Sequence, residues 1–103
     1  LAHGRQIIPG RWVDDILTEG DREAWLKGDL VHMLPKGRYR SKWYQTGDDN
    51  GAFCAVGIHG QWIWCDPMTG VVIAKQSSQA LPVDDAMDQL NLAAFAAVSR
   101  ELA

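Results

Sequence analysis

Three tight-turn signals cut the middle of this chain into runs that are too short for helices and apolar enough for strands. Asp49-Asn50-Gly51 is the strongest of them, because Asn-Gly suits the two positive-φ positions of a type I′ hairpin turn. His59-Gly60 can make a second tight turn, and Asp66-Pro67-Met68-Thr69-Gly70 closes a third. The runs between them read as antiparallel strands over 39–46, 52–58, 61–65 and 71–76.

The flanks read differently. Pro9 suits the first turn of a short helix that runs to about Thr18, with Trp12, Ile16 and Leu17 at helical spacing. Gly20 ends it, and Asp21 to Leu26 gives one or two further turns that Gly28 stops. At the other end the pattern predicts a helix over 82–102, opened by Pro82, with Asp84, Asp85 and Asp88 near its positive end and Arg100 near its negative end. Its apolar positions are Val83, Met87, Leu90, Ala94 and Ala97. The fold class is therefore α+β: an antiparallel β meander with a C-terminal helix on one face. The chain divides into a helical and loop lead-in over 1–37, strands over 38–77 and the helix over 82–102, all within residues 1–103 as one domain.

With 10 Lys+Arg against 13 Asp+Glu, the formal charge is −3, which opposes binding to nucleic-acid phosphates or an anionic membrane surface. Arg38, Arg40 and Lys42 alternate with Tyr39, Ser41 and Trp43. A solvated basic face accounts for that pattern, and an aromatic-interleaved surface for single-stranded nucleic acid is the alternative that the acidic total disfavours. No stretch is long and apolar enough to span a bilayer, so no membrane and no nucleic-acid partner is expected. A cytoplasmic location is favoured, and any export signal would lie upstream of Leu1.

Two cysteines make no disulfide scaffold, and Cys54 and Cys65 lack zinc-ligand spacing. The histidines, His3, His32 and His59, form no ligand set, so neither a metal nor another cofactor is expected. If His59-Gly60 is a two-residue turn, Cys54 lies opposite Cys65, Ala55 opposite Trp64, and Val56 opposite Ile63. One face then carries Cys54, Val56, Ile58, Ile63 and Cys65, and the other Phe53, Ala55, Gly57, Trp62 and Trp64. The paired cysteines could be packed thiols, the commoner use, or a cross-strand disulfide. Both faces are apolar, so both want cover, and one helix with a short helical pair supplies it for one side only.

No serine sits in G-x-S-x-G or S-x-x-K, Gly57-Ile58-His59-Gly60 is not a phosphate loop, and the helix-start aspartates read as capping charges. Residues 51–75, GAFCAVGIHGQWIWCDPMTGVVIAK, nevertheless resemble the C-terminal region of the β-lactamase-like serine hydrolases, the superfamily of class C β-lactamases and penicillin-binding esterases. In that pattern an aromatic residue precedes His- or Lys-Thr/Ser-Gly, a second glycine follows three residues later, and apolar strands flank an Asp-Pro. The counterparts are Phe53, Ala55-Val56-Gly57, Gly60, 62–65, Asp66-Pro67 and 71–74. Gly4 to Pro9 with Trp12-Val13, and the stretch 39–44, resemble two further family segments in the same order. Within the family, the 57–62 run and Ala74-Lys75-Gln76 are most similar to the 6-aminohexanoate-dimer hydrolases, which cleave nylon oligomers.

The resemblance implies a transpeptidase-like fold of which this chain supplies the C-terminal portion. It also implies that the family's oxyanion donor after the strand glycine falls on the Ile58 N–H, with Ala55, Val56, Gly57 and His59 lining the substrate site. The acylating S-x-x-K and the Y-x-N tyrosine are absent, and Ala55-Val56-Gly57 carries no proton-donating side chain, so the chain alone is expected to be inert. The alternative is a non-catalytic binding or assembly module that kept the fold. The expected partners are the missing N-terminal part of the hydrolase and a second copy of the chain, joined through the face of Phe53, Trp62 and Trp64.

Overall fold

The computed structural model describes residues 4–103; His3 and the chain start at Leu1 lie outside them. Two short helices come first, α1 (Gly10–Thr18) and α2 (Arg22–Leu26), then five strands and a long helix. The strands are β1 (Arg38–Arg40), β2 (Trp43–Gln45), β3 (Phe53–Gly57), β4 (Gln61–Asp66) and β5 (Val71–Lys75), and α3 spans Asp85–Leu102. All neighbours pair antiparallel in the order β1-β2-β3-β4-β5, so the fold is an α+β meander with its C-terminal helix on one face.

The expected single strand over 39–46 is two strands. Ser41 and Lys42 take φ values of 52° and 76°, the geometry of a type I′ turn, and so make a hairpin without glycine. Conversely, Asn50-Gly51 does not form the expected two-residue turn, because only Gly51 of the pair takes a positive φ, at 70°. The Asp48 carboxylate instead accepts from the Ala52 N–H at 2.9 Å, and the connection widens to residues 46–52.

The decisive departure lies between β3 and β4. Cys54 pairs with Trp64, Ala55 with Ile63, Val56 with Trp62 and Gly57 with Gln61, one residue out of the register expected from a two-residue turn. Residues 58–60 form a three-residue loop, with His59 at φ 61° and Gly60 at 82°. Gly60 is fixed there, since a Cβ would sit 2.8 Å from Gln79 Oε1. A one-residue slip moves every β4 side chain to the other face. Here it carries Trp62 and Trp64 to the side of Cys54 and Val56, where α3 covers them at 2% and 3% exposure. At about 25 cal/mol per Å² and roughly 150–250 Å² per indole, each tryptophan contributes on the order of 4–6 kcal/mol as an upper estimate, far more than one turn type can outweigh.

Phe95 of α3 stacks against both indoles, with ring centroids 5.6 and 5.8 Å away. Trp64 Nε1 donates to the buried Ser99 hydroxyl at 3.1 Å. Met33, Leu34 and Trp25 of α2 complete this layer, with Trp25 Nε1 donating to the Leu34 carbonyl at 2.9 Å. The helix starts later than expected: Pro82 precedes it, and the Asp84 carboxylate caps it by accepting from the Met87 N–H at 3.1 Å. Its buried stripe is Asn91, Phe95 and Ser99 rather than Leu90 and Ala94, so Leu90 is 60% exposed.

The two cysteines lie on opposite faces of the sheet and are free, which removes the cross-strand disulfide. The tryptophans expected to mediate self-association are core residues. The sheet face that remains open over β3–β5 carries Phe53, Ala55, Ile63, Cys65, Val72 and Ala74, with Ile63 and Val72 exposed. Over β1 and β2 that same face is covered by α1: Gln45 donates to the Ile16 and Glu19 carbonyls, and Arg40 makes a two-pronged ion pair with Asp15 at 2.8 and 2.9 Å.

Phe95→Ala should lower the unfolding free energy by about 3–5 kcal/mol, the usual cost of emptying a buried aromatic site. Leu90→Ala should change it by no more than about 0.5 kcal/mol, as expected for an exposed position. Chemical denaturation followed by tryptophan fluorescence measures both, and equal costs would mean that the helix buries a different stripe.

Candidate functional site

β3 is a central strand for only half its length. β2 pairs with Phe53 and Cys54 and then departs, so among the described residues the edge of Ala55, Val56 and Gly57 that faces β2 has no strand beside it. The direction of the backbone groups on that edge follows from its start. Ala52 turns its carbonyl towards the Thr46 N–H and its own N–H towards Asp48, both on the β2 side. Backbone polar groups alternate along an antiparallel strand, so those of Cys54 and Val56 point the same way. Cys54 meets β2, Val56 has no strand partner on that side, and Ile58 follows at the start of the 58–60 loop. The Ile58 N–H makes no turn, loop or side-chain hydrogen bond among the described residues.

A cavity of about 180 Å³ lies at this unpaired edge. Val56, Gly57 and Ile58 form one wall, Met33 of the segment before β1 another, and Val83 and Asp88 a third. The topology accounts for this convergence. β5 runs antiparallel to β4, and Lys75 at its end pairs with Trp62, which itself pairs with Val56. The linker from 77 to 84 therefore begins at the end of the sheet where β3 finishes.

His59 fastens the loop to that linker. Its N–H donates to the Pro82 carbonyl at 3.0 Å, and its Nδ1 lies 3.0 Å from the Gln79 carbonyl, an acceptor to which Nδ1–H donates. The Gln61 side chain adds a donor to the Ser77 carbonyl. Of the residues expected at the site, Val56, Gly57 and Ile58 line the cavity together. Ala55 projects onto the open sheet face, and the His59 imidazole is engaged with the linker.

Sequence reasoning missed Gln79 and Asp88, which also line this cavity. Asp88 reads as one more helix-start charge until the linker is seen to return to the strand end. Burial, and then the neighbouring carboxylates of Asp85 and Asp84, raise its pKa from the ordinary aspartate value, against the opposing pull of His32 and Lys75. Elsewhere on α3, the Asp85 carboxylate 3.2 Å from His32 Nε2 favours the protonated imidazole and raises its pKa. Neither cysteine is a ready nucleophile: burial pushes the Cys54 thiol up to about 12 and raises that of Cys65 as well. Among the described residues no three His, Cys, Asp or Glu side chains converge to hold a metal ion. The available chemistry is therefore an unused strand edge and its amide donors beside a small, largely apolar cavity.

His59→Ala removes the imidazole tether and leaves the backbone one, so it should loosen the loop at a cost of about 1 kcal/mol, the net value of one hydrogen bond. Amide hydrogen exchange at residues 58–60 should quicken more than elsewhere; unchanged exchange there would show that the imidazole does not hold the loop.

No protein-family model matches the chain. It is 38% identical over 78 residues, 76% of its length, to the 6-aminohexanoate-dimer hydrolase of Paenarthrobacter ureafaciens. The aligned part is 20% of that enzyme, so the chain spans about a fifth of the length of the curated relative it matches. This similarity supports a relationship to the β-lactamase-like hydrolases that the sequence motifs resemble.

Proposed function

We propose that the chain is a partial domain, the C-terminal portion of a β-lactamase-like serine hydrolase acting on amide, ester or β-lactam bonds. Its part in the reaction is to present the Ile58 N–H as one of two oxyanion donors and to form one wall of the substrate cleft. The observation that carries this reading is the strand edge past Cys54, where β2 stops and the Ile58 N–H, beside a cavity, meets no acceptor among the described residues. A donor of this kind needs no particular side chain. It must only be held rigidly where negative charge develops on the acyl oxygen, and the tethers of His59 and Gln61 to the linker supply that rigidity.

The nucleophile comes from elsewhere, because none of the serines here stands in S-x-x-K. The chain by itself is then inert towards activated esters, nitrocefin and linear amides. An S-x-x-K followed by Y-x-N, encoded upstream in the same frame, is the arrangement this reading requires. A start codon directly before Leu1 with no such partner would favour a non-catalytic module instead. The open sheet face of Phe53, Ile63 and Val72 is the surface on which the remaining part of the hydrolase rests.

In a protein that joins this chain to its nucleophile, Ile58→Pro removes the N–H and should lower kcat by about 10²–10³-fold. Ile58→Ala keeps the donor and should retain kcat. Equal activity of the two variants, both folded by circular dichroism, would remove Ile58 from the reaction.

The isolated chain should self-associate through its uncovered face at high concentration, and Ile63→Lys should return it to a monomer. Light scattering decides this, and a monodisperse wild-type monomer would mean that the face needs no cover.

A further inference from the structure

Asn50-Gly51 forms no two-residue turn, yet its side chain has a partner in the fold. Asn50 is half-buried, and its Nδ2 donates to Asp66 Oδ2 at 3.0 Å. Asp66, at the end of β4, is 3% exposed, and its Oδ1 accepts from the Met68 and Thr69 N–H groups at 3.0 and 3.2 Å. Burial disfavours the charge on Asp66, but the hydrogen bonds from Asn50, Thr69 and Met68 outweigh it and hold its pKa below the ordinary aspartate value. One buried carboxylate therefore ties the 46–52 connection to the turn between β4 and β5, and the Asn50 amide is its link to the first.

The residue after this asparagine is open to chemistry. Gly51 is exposed, and a Cβ there would meet nothing closer than Pro67 Cγ at 3.9 Å, so no packed neighbour crowds it. Its N–H is held by a long hydrogen bond of 3.3 Å to the Asp48 carbonyl. Asn50 also lines a hollow of about 340 Å³ with Asp48, Asp49, Asp66 and Arg100, through which solvent reaches it.

We propose that Asn50 is a modification site, where spontaneous deamidation replaces the amide that holds Asp66 with a carboxylate that repels it. The Gly51 nitrogen loses its proton to solvent base and attacks Asn50 Cγ. The new N–Cγ bond closes a cyclic imide, the Cγ–Nδ2 bond breaks, and the side-chain nitrogen leaves as ammonia. Water then opens the imide at either carbonyl, giving aspartate or its β-linked isomer. Both products lack the Nδ2 donor and place a negative charge beside the buried Asp66. Asp48 and Asp49 add to the repulsion, and Arg100, the cation among the lining residues, opposes it. The 46–52 connection and the turn at 66–69 then loosen together, at the end of β3 away from Ile58.

The test ages the 103-residue chain in dilute solution at mildly alkaline pH and maps its peptides by mass spectrometry, with the β-linked isomer read by an isoaspartyl methyltransferase. Asn50 should exchange its NH2 for OH several-fold faster than Asn91, which is buried in α3 and followed by Leu92. Equal rates at the two asparagines would overturn the assignment. Asn50→Asp supplies one product directly, and should quicken hydrogen exchange at the Met68 and Thr69 amides about tenfold, the scale of one hydrogen bond lost. Combining Asn50→Asp with Asp66→Asn sets a donor against an acceptor again and should restore the wild-type rates. Unchanged exchange in Asn50→Asp would mean that Arg100 or solvent absorbs the new charge, and would overturn the loosening. So would a combined variant that exchanges as fast as Asn50→Asp alone, since the loss would then arise outside the contact of residues 50 and 66.

Discussion

The structure depends on two indoles sharing one face of one strand. Trp62 and Trp64 are two residues apart on β4, so they must point the same way, and together they are the largest apolar surface the sheet has to hide. Phe95 meets both, and Trp64 reaches the Ser99 hydroxyl, so α3 cannot shift without exposing them. The turn before β4 adapts to this demand. A loop with His59 and Gly60 at positive φ is a small local cost against several kcal/mol of indole burial.

That register sets the geometry of the candidate site. It leaves Gly57 opposite Gln61 and puts Ile58 at the start of a loop rather than in the ladder. It also aligns the end of β5 with the end of β3, which brings the linker and the first turn of α3 to the same place. β2 completes the arrangement by stopping at Cys54. Its three residues pair with β1 in a hairpin whose tight Ser41-Lys42 turn carries the chain away from β3. An edge in the middle of a sheet is a liability unless something occupies it, and a substrate that lies along a strand is one such occupant.

The two faces of the sheet have different fates. One is filled by α2, α3 and the segment around Met33 and Leu34, which enclose the buried cluster of Trp25, Cys54, Trp62, Trp64 and Phe95. The other has α1 over its first two strands only, leaving Ile63 and Val72 bare. A solvated face of an antiparallel sheet normally carries polar side chains, whereas this one carries apolar ones.

Most of the elements were legible from residues 10–103: Asp21 and Asp84 stand where helix caps should, and Gly-containing turns bound the apolar runs of strand length over β3–β5. The exception is the β1–β2 hairpin, whose Ser41-Lys42 turn carries no glycine and so leaves no mark in the sequence. The grouping of Val56, Gly57 and Ile58 followed from chain order, since three consecutive residues at a strand end line the same cavity. What the sequence could not decide was register and facing. An alternating strand whose two sides are both apolar reads equally well in either phase, so Cys54 facing Cys65 and Cys54 facing Trp64 look alike on paper. Only packing against α3 distinguishes them, by the area of two indoles. The helix face followed the same logic: Leu90 and Phe95 are both apolar, but Phe95 alone fits between Trp62 and Trp64. Asp88 became part of a cavity for the same reason. Its neighbours Ile58 and Met33 lie thirty and fifty-five residues away in sequence, and only the tertiary structure brings them together.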